Sequence, residues 1–211
     1  IAQCLVGSEM CIRDRYIKDI CYSLPACVPE KILQLSNLSK RVDSLRIFVD
    51  SVDHLDNLAE FGEPSGPGSK WSIFVKIDMG THRAGLENGS NELESLLEKL
   101  FSPTVSKFVE LYGFYAHAGH SYSVTDISEA HTLLLEEIRA VNEAARAVQK
   151  QDAAFDSSNL ILSVGATPTS NSLKSSDWQA SLVNFVKEEL IGKLEIHCGN
   201  YCLYDLQQIC T

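Results

Sequence analysis

The sequence predicts an α/β fold built as a (β/α) barrel, and three observations carry that prediction. Short, almost wholly apolar runs recur along the chain, and they alternate with longer stretches of helical period. The loops after four of the five runs are dense in glycine, histidine, tyrosine or threonine. Near-continuous apolar strands belong to parallel sheets covered on both faces, and their alternation with helices makes the class α/β. Polar chemistry spread over many strand C-termini is the pattern of a barrel. An open doubly wound sheet would gather it at one crossover behind a G-x-G-x-x-G turn, and that turn is absent.

The elements follow in order. LRIFVD (Leu45 to Asp50) is the first run, and SVDHLDNLAEF behind it has helical spacing. A Gly/Pro/Ser loop leads to the second run, KWSIFVKID (Lys70 to Asp78), and NELESLLEKLF follows as an amphipathic helix. FVELYGFYAHA is the third run. Ser128 to Lys150 is the clearest helix, and its Glu129, Glu136, Glu137, Arg139, Glu143, Arg146 and Lys150 read as a solvated outer face. LILSVGA and KLEIHCGNY are the fourth and fifth runs.

Composition narrows the function. The chain has 211 residues, 45% hydrophobic and 22% charged, the make-up of an ordinary globular protein. No apolar run approaches the about 20 residues of a membrane helix, and the opening segment lacks the apolar region of a secretory signal. A net charge of −10 without a Lys/Arg cluster excludes nucleic acid as a partner, since a binding face must bring positive charge to phosphates. Seven cysteines without a signal read as reduced, mostly buried thiols of a cytoplasmic protein. His197, Cys198 and Cys202 are close in sequence but lack the second half of a zinc ligand set.

The loops carry the chemistry. Lys76 and Asp78 stand two apart on a strand and share one face, as an interior ion pair that either only stabilises or meets a ligand. Gly80 and Gly85 permit sharp turns, and His82 and Arg83 project from the rim, where the planar Arg83 fork suits an anionic or phenolic atom. His117 ends the third run, with His120 and Tyr122 on the loop behind it. Gly165, Thr167 and Thr169 combine small residues with hydroxyls at a strand end, which suits close backbone approach to a phosphate. Gly199 and Asn200 precede a helix-like segment and form a second anion seat. Each loop alone reads equally as a plain turn.

Taken together, KIDMGTHRAG, YAHAGHSY, VGATPT and EIHCGNY, in that order and at the strand ends, resemble the D-serine dehydratase and D-threonine aldolase family. The resemblance runs from about Ile17 to Thr211. It implies an incomplete (β/α)8 barrel of the alanine racemase N-terminal type, pyridoxal 5'-phosphate (PLP) as cofactor, a D-amino acid as substrate, and a homodimer in the full-length protein. It implies that Tyr122 contacts the cofactor and that Thr167 binds its phosphate. Gly199 and Asn200 would hold that phosphate through backbone amides. Arg83 would sit near the cofactor ring, and His117 beside it. The family's Schiff-base lysine lies in a basic segment before the matched stretch, so no catalytic lysine is assigned; Lys76 belongs to the arginine motif. The family's zinc ligands form a His-x-Cys pair in a C-terminal β-rich domain that these residues do not reach, so no metal ligand is assigned. The expected activity is that of a PLP- and zinc-dependent D-serine dehydratase of which this chain is an inactive fragment. A D-threonine aldolase-type lyase and a non-catalytic PLP-carrier barrel are the alternatives.

LVGSEMCIRDR (Leu5 to Arg15) fits none of this. Its coding sequence can be written as a widely used transposase sequencing adapter read in frame. Residues 1–15 are therefore expected to be non-native, with 16–211 as the partial barrel.

Overall fold

A computed structural model describes residues 2–3, 18–25, 27–68, 70–174 and 176–197. The chain divides into two compact units, one of residues 1–76 and 89–112 and the other of residues 77–88 and 113–211.

In the first unit, β1 (Ala2–Gln3), β2 (Asp19–Tyr22), β3 (Ser44–Val49) and β4 (Trp71–Ile77) lie side by side in sequence order and all pairings are parallel. Helix α1 (Pro29–Ser39) carries the chain from β2 to β3, and α2 (Val52–Phe61) from β3 to β4. Pro29 opens α1 where its missing N–H costs nothing. The Ser51 hydroxyl caps α2 by accepting the His54 N–H at 3.3 Å. Two-sided burial explains the apolar runs: Ile47, Phe48 and Val49 are at most 1% exposed, as are Ile73, Phe74 and Val75. Helices α3 (Asn91–Leu100) and α4 (Pro103–Ser106) follow, and Ser90 caps α3 through the Leu93 N–H. Cys21 and Cys27 are buried, as the composition implied. Burial, reinforced by Asp50, pushes the Cys27 thiol up to about 12, so it is inert.

In the second unit, the end of β5 (Val109–Ala116) pairs parallel with β6 (Ile161–Val164), and β6 with β7 (Lys193–Ile196). Helix α5 (Ile127–Gln151) connects β5 to β6, and α6 (Thr167–Asn171) and α7 (Ser176–Glu188) connect β6 to β7. Asp126 caps α5 through the Ser128 N–H. The α5 stripe Leu134, Ile138, Val141, Ala145 and Val148 is wholly buried.

Gly113 sits opposite Ile161 in the ladder, and a methyl there would collide with the Ile161 carbonyl. Gly113→Ala is expected to cost more than about 3 kcal/mol, by forcing the two strands apart. The measurement is the denaturation midpoint of the full-length protein, and a change within noise would contradict this packing.

The sequence reading locates the first four apolar runs to within about two residues, and the fifth begins where expected, at Lys193, with its strand ending at Ile196. It passes over β2, which is only four residues long, and over α1 and α7. One expectation is corrected. Glu137, read as part of the solvated face of α5, is 0% exposed. Glu129, Glu136, Arg139, Glu143, Arg146 and Lys150 are exposed as expected.

Candidate functional site

The second unit carries the candidate residues. Asp78 lies one residue beyond β4, and its carboxylate closes the following loop. It accepts the N–H groups of Thr81 at 3.1 Å and His82 at 3.1 Å, and meets His82 Nδ1 at 3.1 Å. Those bonds hold His82 at φ 52°, a left-handed conformation few side chains adopt. His82 also faces Glu87 at 3.3 Å, and Asp78, His82 and Glu87 form one tight cluster of potential donors. Its function is visible in its bonds, which clasp the loop from Asp78 to Glu87. Arg83 projects from this clasp into solvent and makes no ion pair among the described residues.

His117 follows β5 directly. Its Nδ1 lies 2.8 Å from the Gly165 carbonyl, which can only accept, so the proton sits on Nδ1. Tyr122 is half-buried, with its ring centroid 6.3 Å from that of His117, while His120 is exposed. His197, directly after β7, stacks on Tyr115 with centroids 4.3 Å apart and an interplanar angle of 10°. It also lies 6.1 Å from His117, at 24°. The Ser163 hydroxyl lies 2.7 Å from Glu195 and 3.1 Å from His197 Nδ1. Burial, with His117 beside it, pushes the His197 ring down to about 3, so it is neutral at physiological pH.

The loop after β6 brings the third set. Gly165 adopts φ 132° and packs against the His197 carbonyl so closely that no side chain fits. Thr167 is 1% exposed, and its hydroxyl has no hydrogen-bond partner among the described residues. An enclosed hydroxyl without a partner is costly unless a water or a ligand completes its bonding. Thr169 is satisfied: its Oγ accepts the Ala166 N–H at 2.8 Å and lies 3.0 Å from Glu137 Oε2. Burial pushes the Glu137 carboxyl up to about 7, against its bonds to Ala118, Thr169 and Gly165.

His117, Tyr122 and Thr167 therefore belong to adjoining loops of one unit, joined by the His117–Gly165 bond. Arg83 lies on the clasp in the same unit. Gly199 and Asn200 lie outside the described residues, as do Cys198, Cys202 and the adapter-like Leu5 to Arg15. Sequence reasoning missed Glu137 and the ring stack of His197. Glu137 had a signal: it stands three residues after Leu134 and four before Val141, within the apolar stripe. His197 had none, because its partners come from β5 and β6.

The residues present fit a phosphorylated cofactor, with an enclosed hydroxyl at Thr167, partnerless among the described residues, beside Gly165. The chain is 58% identical over 196 residues to D-serine dehydratase of Saccharomyces cerevisiae, covering 93% of this chain and 45% of that protein. It is 42% identical to D-serine dehydratase of Schizosaccharomyces pombe, covering 92% of this chain and 44% of that protein. The solved structure of D-threo-3-hydroxyaspartate dehydratase from Delftia sp. HT23 superposes with a TM-score of 0.72 at 25% identity. That match covers 97% of this chain and 48% of that one. This chain thus spans less than half the length of the curated relatives it matches. The fold is an incomplete (β/α) barrel, and no described helix is long and apolar enough to cross a membrane. The family model for the alanine racemase N-terminal domain matches residues 20–183, and the chain belongs to that family.

Proposed function

We propose that this chain is the cofactor-phosphate half of a PLP-dependent D-serine dehydratase, a lyase converting D-serine to pyruvate and ammonia. The observation that carries this reading is the Thr167 hydroxyl, enclosed and without a partner among the described residues. It stands in the loop where the family resemblance expects the phosphate contact. Identity of 58% to a D-serine dehydratase supports the substrate class.

When bound, PLP supplies an electron sink for the α-carbon of the amino acid. The residues of this chain bind and orient. The Thr167 O–H donates to a phosphate oxygen, and we assign the backbone amides of Gly199 and Asn200 to the same phosphate. Tyr122 and His117 flank the cofactor ring. The Gly165 carbonyl fixes the His117 ring through Nδ1, which leaves Nε2 as its acceptor nitrogen. Arg83 supplies a fixed positive charge near the ring from the Asp78 clasp. No residue here is assigned to zinc, whose expected ligands are those of the C-terminal domain. No residue of this chain is assigned as the lysine that carries the cofactor.

The test uses the full-length protein. D-serine is expected to yield pyruvate, with PLP required. Thr167→Val is expected to weaken PLP binding about 10- to 100-fold, the loss of one bond to a charged acceptor. The kcat at saturating PLP should change little. Glycine and aldehyde from D-threonine, without pyruvate from D-serine, would turn the reading to an aldolase. PLP binding without turnover would turn it to a carrier. Unchanged PLP affinity in Thr167→Val would remove Thr167 from the phosphate site.

A further inference from the structure

Glu137 is a wholly buried carboxylate with no place in the reaction above. It lies mid-helix on α5, the helix that carries the chain from β5 to β6. Its Oε1 accepts the Ala118 N–H at 2.6 Å, in the loop after β5. Its Oε2 lies 3.0 Å from the Thr169 hydroxyl, in the loop after β6. One side chain thus holds both loops from beneath. Ala118 follows His117 directly and stands four residues before Tyr122. Thr169 stands two residues after Thr167, and its hydroxyl oxygen accepts the Ala166 N–H in the same turn.

We propose that Glu137 is a positioning residue for the phosphate site: by tying Ala118 to Thr169 it sets the spacing of the His117–Tyr122 loop and the Thr167 loop. This rests on the PLP reading given above. A purely structural buried acid would be expensive, because burying a carboxylate costs several kcal/mol unless its oxygens are fully used. Here both oxygens are used, and both partners are loop groups flanking the assigned cofactor contacts. The donors can be matched one by one. With Glu137 ionised, Ala118 N–H and Thr169 O–H donate to it, and so does the Gly165 N–H. With glutamine in its place, the amide oxygen still accepts the Ala118 N–H. The amide N–H then donates to Thr169 Oγ, whose proton turns to the Ala166 carbonyl 3.2 Å away. Methionine has similar length and makes neither bond.

The experiment measures, in the full-length protein, the affinity for PLP and for pyridoxal, which lacks the phosphate. The ratio of the two reads the phosphate site and not general stability. Glu137→Met is expected to lower the ratio at least about tenfold, and Glu137→Gln to keep it within about threefold of wild type, since methionine makes neither loop bond and glutamine can make both. Thr169→Val, which keeps shape and deletes the hydroxyl, should lower the ratio as Glu137→Met does, and it serves where Glu137→Met fails to fold. A wild-type ratio kept in Glu137→Met or, failing that, in Thr169→Val would overturn the tether, even if the variant melts earlier. Equal wild-type affinity for PLP and pyridoxal would overturn the cofactor reading itself, a result distinct from the first.

Discussion

Replacing Gly165 by alanine is expected to destabilise the protein by at least about 3 kcal/mol and, under the function proposed above, to weaken PLP binding. Two costs add. The backbone stands at φ 132°, where an L side chain is strained by about 1–3 kcal/mol. The new Cβ would also collide with the His197 carbonyl oxygen and lie 3.0 Å from Ser170 Oγ. The loop has little room to yield. The residue before Gly165 accepts the His197 N–H at 2.8 Å through its carbonyl, and the Gly165 carbonyl is engaged by His117 at 2.8 Å. Ser170 is itself bonded to the His197 carbonyl at 3.3 Å. Relief at one contact therefore breaks another, and the collateral movement displaces Thr167. Denaturant midpoints and PLP titration of Gly165→Ala in the full-length protein check both effects. A loss under about 1 kcal/mol would show that β6 and β7 do not approach as described.

The second large effect is on the pH dependence of stability, where two buried groups act with opposite sign. The Glu137 carboxyl is raised from 4.5 to about 7, chiefly by burial. The folded state therefore holds a proton that the unfolded state has released between those values. Its contribution is fully present below pH 4.5 and is lost as pH rises through 7, a decline of about 3 kcal/mol for a shift of this size. Glu137→Gln cannot ionise and should remove that decline. His197 is lowered from 6.5 to about 3, by burial first and by His117 second. Its neutral ring favours the fold above pH 6.5, and that contribution is lost as pH falls toward 3. His197→Phe, which keeps a ring against Tyr115, should flatten the acid limb. Stability curves of the three proteins from pH 4 to 8 separate the two groups. A Glu137→Gln curve parallel to wild type between pH 4.5 and 7 would show that Glu137 is ionised throughout.

Much of this molecule is written in short-range pattern. β4 is visible because seven consecutive residues, Trp71–Ile77, are suited to a strand covered on both faces. α5 is visible because its apolar residues recur at helical spacing over many turns. The loops could be ranked for chemistry because hydroxyl, imidazole and glycine residues occur together in the loops after strands. Each of these signals lies within one element or one turn, and a linear sequence records such neighbours directly.

Burial and bonding across elements are a different kind of information. Glu136 and Glu137 are the same residue type side by side, yet one is exposed and the other wholly enclosed, because a helix turns about 100° per residue. Thr167 and Thr169 are equally plausible phosphate ligands in the sequence. Only the fold shows that Thr169 spends its hydroxyl on Glu137, 32 positions away, while the Thr167 hydroxyl has no partner among the described residues. His197 became a neutral stacked ring through contacts with Tyr115 and Ser163 that no spacing rule encodes. Local pattern thus accounts for the elements, their order and the loops that carry chemistry. The bonding and burial of individual polar groups were decided by parallel β5, β6 and β7, which bring residues far apart in sequence within hydrogen-bonding reach and remove them from water.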